Sequence, residues 1–197
     1  YKKALDNEHP SIAISLSNLA LLYDTTGRYA EAEPLYKRSL AITEKTLGKE
    51  HPSVATRFNN LAELYRLTGR YSEAEPLYKR SLAIIEKALG KYHPNVATSI
   101  NNLALLYEST GRYAEAEPLF KRSLEIYEKA LGNEHPSIAI SLSNLALLFA
   151  ANDKHTESHH LFNRNISIED LMRENVFLLL NEKQKNSYTN KNEDFIH

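Results

Sequence analysis

The chain is 197 residues long, with 24 basic and 25 acidic residues and a formal charge of -1. That balance leaves no electrostatic footprint for nucleic acid or an anionic membrane. With no cysteine in the sequence, disulfides, thiolate metal sites and a cysteine nucleophile are excluded. No apolar run approaches the roughly 20 residues needed to span a bilayer, and the sequence shows no signal peptide, so a cytoplasmic location is expected.

In chain order, Tyr1-Lys2-Lys3-Ala4-Leu5 has the pattern of Tyr127-Glu128-Lys129-Ala130-Leu131, which reads as the end of a helix over residues 1–8. Four units follow, each opened by His-Pro at His9-Pro10, His51-Pro52, His93-Pro94 and His135-Pro136. Their spacing of 42 residues divides the chain into repeats at 9–50, 51–92, 93–134 and 135–184, with a polar tail at 185–197 expected to fray. The segment Asn7–Leu22 is identical to Asn133–Leu148, the mark of duplication.

Proline suits the first position of a helix, where its missing N–H costs nothing. In the third repeat, Val96, Ile100, Leu103 and Tyr107 recur at helical spacing and predict a helix from Pro94 to about Thr110. Gly111 ends it, as Gly27 and Gly69 end theirs. A second helix is predicted from Tyr113 to Leu131, with Ala116 where the helices cross and Leu119, Phe120, Leu124 and Ile126 as its buried stripe. Pro118 is expected near enough to its start for a missing N–H to be tolerated, and Gly132 closes it. A hairpin of this size cannot bury its own apolar faces, so stacking on its neighbours must stabilise it.

This pattern resembles the tetratricopeptide repeat: Leu103-Ala104, Tyr107, Gly111, Tyr113, Ala116, Phe120 and Leu124 fall in that family's order. The 42-residue period and the phrase running from Gly69 to Ala97 are similar to the kinesin-light-chain type. The resemblance implies an all-α, right-handed superhelical solenoid of antiparallel helix hairpins. It further implies an interaction module whose first helices line a concave groove for a protein or peptide ligand. The fourth copy departs, with Asp153-Lys154-His155 replacing Gly-Arg-Tyr and no glycine to close its second helix. It reads as a divergent capping repeat with an extended last helix. A second, shorter likeness, from Ile168 to Tyr188, is to the segment that joins such repeats to a caspase-like CHAT protease domain in bacterial proteins. It implies a sensory arm of a larger effector as the alternative function.

The candidate site is an asparagine ladder, Asn18, Asn60, Asn102 and Asn144, with Asn59 and Asn101 preceding two of its rungs. An amide both donates and accepts, so a row of them can pair with any peptide backbone. The other reading is that each asparagine bonds the neighbouring repeat and orders the stack. Groove positions beside the ladder are Ile14, Leu21 and Asp24, then Thr56, Glu63 and Arg66, then Thr98, Leu105 and Glu108, and finally Ile140, Leu147 and Ala150. Among these only Arg66 is basic, so the acidic-ligand preference of kinesin light chains does not carry over and a mixed or partly apolar segment is expected.

The His-Pro histidines are too far apart along the array to share an ion and read as helix-start residues. His155 and His159 share a helix face but lack the HExxH glutamate, since Thr156, Glu157 and Ser158 intervene. Arg28, Arg70 and Arg112, with Lys37-Arg38, Lys79-Arg80 and Lys121-Arg122, lie near Glu31, Glu33 and their copies and read as helical ion pairs. Ser39, Ser81 and Ser123 read as small packing residues. No metal site, cofactor or catalytic constellation is expected, and the chain is read as non-enzymatic. Apolar faces at the ends of the array predict end-to-end self-association.

Overall fold

A computed structural model describes the backbone of residues 9–193 and the side chains of residues 9–174. Eight helices in consecutive pairs make up these residues: α1 (Pro10–Thr25), α2 (Tyr29–Leu47), α3 (Pro52–Leu67), α4 (Tyr71–Leu89), α5 (Pro94–Ser109), α6 (Tyr113–Leu131), α7 (Pro136–Ala151) and α8 (His155–Glu193). The chain divides into two compact units, residues 1–130 and residues 131–197.

In the first unit α1 packs on α2, α2 on α3, α3 on α4 and α4 on α5. Each hairpin is drawn close by alanines with no exposed surface: Ala20 and Ala32, Ala62 and Ala74, Ala104 and Ala116. Ser39, Ser81 and Ser123 are buried beside them, and their hydroxyls donate across the hairpin to the carbonyls of Ala13, Ala55 and Ala97 at 2.6, 2.8 and 2.9 Å. A small residue thus permits the close approach, and its hydroxyl satisfies a helix carbonyl that already lies in the core.

Every first helix starts on a histidine cap. The Nδ1 atoms of His9, His51 and His93 accept the backbone N–H two residues on, at 3.2, 3.1 and 3.1 Å. Proline occupies the first turn, so each cap satisfies an N–H that would otherwise have no helical partner. At the other end α5 stops at Ser109 with Thr110 as its cap, one residue before the predicted end. The Arg112 N–H then bonds the Tyr107 carbonyl at 2.8 Å and the Gly111 N–H bonds the Glu108 carbonyl at 2.9 Å. That crossed pair requires a left-handed residue, and Gly111 supplies it at φ 72°.

The prolines behave differently from expectation. Pro34, Pro76 and Pro118 lie inside α2, α4 and α6, at the sixth residue of each. A residue there normally donates to the carbonyl four positions back, so each second helix gives up one bond rather than none. For α2 and α4, packing on the helices before and after offsets that loss.

In the second unit α7 packs on α8. His135 caps α7 through Ser137, and Ser158 donates to the Ala146 carbonyl at 2.8 Å. Asp153 takes the place of the turn glycine and adopts φ 57°. The helix α8 runs unbroken to Glu193, so residues 185–193 are helical where composition predicts fraying. Nothing between His155 and Glu193 is glycine or proline, and polarity alone does not break a helix. Residues 194–197 of the expected tail lie outside the described residues.

Candidate peptide-binding face

The ladder residues lie on the first helices, and two of them, Asn60 and Asn102, bond the preceding repeat. Asn60 Nδ2 on α3 donates to Ser17 Oγ on α1 at 3.3 Å, and Asn102 Nδ2 on α5 donates to Asn59 Oδ1 on α3 at 2.9 Å. Asn59, Asn60, Asn101, Asn102 and Asn144 are half-buried, and Asn101 and Asn144 also have interaction partners, whereas Asn18 is exposed. Of the two roles open to these amides, inter-repeat bonding is therefore present for Asn60 and Asn102. A primary amide offers two N–H donors and a carbonyl, so one such bond does not exhaust it.

Beside the ladder, Ile14 and Leu21 of α1 are 53% and 51% exposed. Thr56 and Thr98 are exposed, and Thr98 shares a 2.7 Å hydrogen bond with the Tyr127 hydroxyl. Leu105 is half-buried. In the second unit Ile140 and Leu147 are exposed and Ala150 is half-buried.

The charged end of this face is less available than its sequence suggests. Arg66 grips Glu63 through two bonds, at 2.9 and 2.6 Å, and reaches Ser109 Oγ at 3.3 Å. The buried Tyr78 hydroxyl donates to the same carboxylate. Burial pushes the Glu63 carboxyl up, but the bonds from Arg66 and Tyr78 outweigh it and hold it below its usual range. Asp24 is opposite: burial and the nearby Glu63 charge raise it despite the Tyr36 hydroxyl, and its Oδ1 is buried without a hydrogen-bond partner. Burial and Asp24 in turn push the Tyr36 phenol up to about 12. Glu108 is raised by burial, partly countered by Arg66. The single basic groove residue found by sequence is thus internally neutralised.

Sequence reasoning missed Arg57, half-buried on α3 with an Nε that has no acceptor. The signal was present, since Arg57 interrupts a column otherwise made of Ser15, Ser99 and Ser141.

Away from this face the periodic charges pair as read. Lys37 meets Glu33 at 2.7 Å, Lys79 meets Glu75 at 2.7 Å and Lys121 meets Glu117 at 2.6 Å. Arg70 and Arg112 additionally reach back to Glu33 and Glu75 of the preceding repeat, at 2.6 and 2.7 Å. Among the described residues no group of three His, Cys, Asp or Glu could hold a metal ion, and no helix is long and apolar enough to cross a membrane.

Hairpins repeating every 42 residues, with the crossing alanines and turn glycines recurring in the first three copies, define a helical repeat protein of the class built for protein–protein interaction. The family model for the tetratricopeptide repeat matches residues 1–45, 11–87, 56–129 and 100–168, and the chain belongs to that family. Among solved structures it is similar to a kinesin light chain-like protein of Podosopora anserina with nearly identical TPR-like repeats. The identity is 35%, the TM-score 0.70, and the match covers 86% of this chain and 81% of that one. A singly substituted form of that protein gives 34% identity and a TM-score of 0.74, covering 87% and 81%. BtubC (BKLC) from P. vanneervenii is 26% identical, with a TM-score of 0.77 over 87% of this chain and 68% of that one. No match to a curated protein was found.

Proposed function

We propose that the protein is a non-enzymatic scaffold that holds an extended peptide or partner segment along the face of its first helices. The observation that carries this is the exposure of Ile14 and Leu21, apolar side chains beside amides and hydroxyls on a face that the second helices leave uncovered. Apolar anchors with flanking backbone-pairing groups are what an extended segment needs. Selection from a displayed random-peptide library tests it. The double variant I14S/L21S should lose the selected peptides while keeping its melting temperature. Equal capture by wild type and variant would move the binding face elsewhere. A cytoplasmic setting suits a chain without cysteine. The reading as a sensory arm of a larger effector rests on the stretch from Ile168 to Tyr188, and the side chains of residues 175–188 lie outside those described.

Self-association is a second reading with its own observation. Leu22 of α1 is 57% exposed, whereas Leu64 and Leu148 at the same repeat position are 1% exposed. Leu148 lies in a segment identical in sequence to that around Leu22. An exposed apolar side chain at this position suits contact with a helix of another copy. Sedimentation equilibrium should show concentration-dependent association that L22E abolishes; a wild-type monomer at every concentration would refute it.

A further inference from the structure

The joint between the second and third repeats holds a polar cleft of about 230 Å³. Its floor is buried: Ser81 and Ile85 of α4 and Ser99 of α5 are 1%, 6% and 7% exposed. Its rim, Thr56 of α3 with Asn95 and Thr98 of α5, is exposed, so the cleft opens to solvent. Half-buried Asn59 of α3 forms the remaining wall. Five of these seven positions carry a different residue one repeat earlier, where Ile14, Ser17, Thr43, Ser53 and Arg57 replace Thr56, Asn59, Ile85, Asn95 and Ser99. The largest exchange is Arg57 for Ser99. Arg57 is half-buried with its Nε withdrawn from water, so at the first joint a long side chain of the protein itself occupies the register that Ser99 leaves open.

The hydrogen bonds already made decide what the cleft can take. Ser81 donates to the Ala55 carbonyl at 2.8 Å, and Ser99 to the Asn95 carbonyl at 3.2 Å. A hydroxyl has one hydrogen and two lone pairs, so these floor oxygens are left as acceptors. Asn59 is complementary: its Oδ1 accepts from Asn102 at 2.9 Å, which leaves its Nδ2 hydrogens to donate. An anion finds the first N–H groups of α5 taken, that of Asn95 by His93 Nδ1 and that of Val96 by the His93 carbonyl. A cation finds no carboxylate in the lining to repay its lost hydration, and the positive pole of α5 opposes it. What remains is a neutral group that both donates and accepts.

We propose that this cleft is a primary-amide pocket, taking the side chain of a glutamine or asparagine carried by the bound segment. The ligand's amide nitrogen donates to the Ser81 and Ser99 oxygens, and its carbonyl accepts from Asn59 Nδ2. A backbone peptide unit has a single N–H and stays with the extended chain at the rim, whereas a side-chain amide reaches the floor. An apolar or charged side chain in the same place would leave the buried polar groups unpaired, which is the source of selectivity. The inference rests on the peptide-binding reading and adds one residue class of the ligand.

The test is an NMR titration of the isotope-labelled protein with N-acetylglutamine N-methylamide and its glutamate, lysine and methionine counterparts. The signals followed are the Asn59 side-chain amide and the backbone N–H groups of Ser81 and Ser99. The glutamine compound should shift all three saturably, and the other compounds should bind at least roughly tenfold more weakly. S99R, which gives the third repeat the residue of the second, should abolish the shifts while keeping the wild-type melting temperature. Should S99R not fold, N59S, the residue of the first repeat, removes the proposed donor and should weaken the Ser81 and Ser99 shifts at least roughly fivefold. Equal shifts from all four compounds, a preference for the glutamate, lysine or methionine compound, no shift with the glutamine one, or undiminished binding by either folded variant would overturn the proposal. Because free model compounds are the probes, failure here leaves the I14S/L21S experiment intact, and the reverse holds.

Discussion

The guanidinium carbon of Arg70 lies 4.0 Å from the centre of the Tyr65 ring. From there it bonds Glu73 of its own helix at 2.7 Å and Glu33 of the preceding repeat at 2.6 Å, while the Tyr65 hydroxyl donates to the same Glu33. Arg112, Tyr107, Glu115 and Glu75 repeat the arrangement one period on. A half-buried cation stacked on an aromatic face and forked between two carboxylates is worth more than a surface ion pair. R70A should therefore lower stability measurably. R28A should cost less than half of that, because Arg28 stacks on Tyr23 and bonds Glu31 within one hairpin only. Urea denaturation of the two variants makes the comparison, and equal losses would mean that the inter-repeat bond contributes nothing.

The same nodes give the array an acid limit. Hydrogen bonding from Arg70 is the main cause holding the Glu33 carboxyl down to about 2, against a usual 4.5, and Lys79 then Arg112 do the same for Glu75. A folded-state pKa below the unfolded one means stability that is present above about pH 4.5 and lost as pH falls through about 2. Melting temperature should decline across that window, and E33Q/E75Q should start lower at neutral pH and decline less. A double variant with the wild-type slope would place the acid sensitivity elsewhere.

Much of this was legible from sequence because the repeat prints each rule three times. Helix limits followed from His-Pro and glycine, and the tight crossings from Ala104 and Ala116. What stayed hidden depended on side-chain direction across repeats. Position alone does not show whether an asparagine faces a ligand or the helix before it, and Asn60 and Asn102 bond backward. Nor does composition show that Arg66 is already gripped by Glu63. The exposure of Leu22 beside the burial of Leu148 makes the same point: identical segments acquire opposite environments from their neighbours.

The backward bonds of the ladder can be measured directly. Asn102 Nδ2 and Asn59 Oδ1 are partners at 2.9 Å, half-buried between α5 and α3. N102L should cost about 1–2 kcal/mol, since it leaves an amide oxygen without its donor. In the double variant N59L/N102L both polar ends are gone, so the losses should fall short of additivity by about 0.5–1.5 kcal/mol. Strict additivity in a double-mutant cycle would show that the pair does not couple the repeats.

Turn glycines should differ in how strongly they are required. A Cβ would meet nothing within 4 Å at Gly90, Gly111 or any other glycine of the chain, so substitution costs arise from the backbone alone. Gly111 is left-handed at φ 72°, a region other residues enter at about 1 kcal/mol. Gly90 has φ 82° with ψ 157°, a combination essentially reserved for glycine, where a side chain costs on the order of 1–3 kcal/mol. G90A should thus destabilise more than G111A. Asp153 holds φ 57° where the first three repeats have glycine, so D153G should stabilise the second unit by about 0.5–1 kcal/mol. Thermal melts of the three variants rank them, and a D153G protein that melts lower would show that the aspartate side chain does more in that turn than tolerate its backbone.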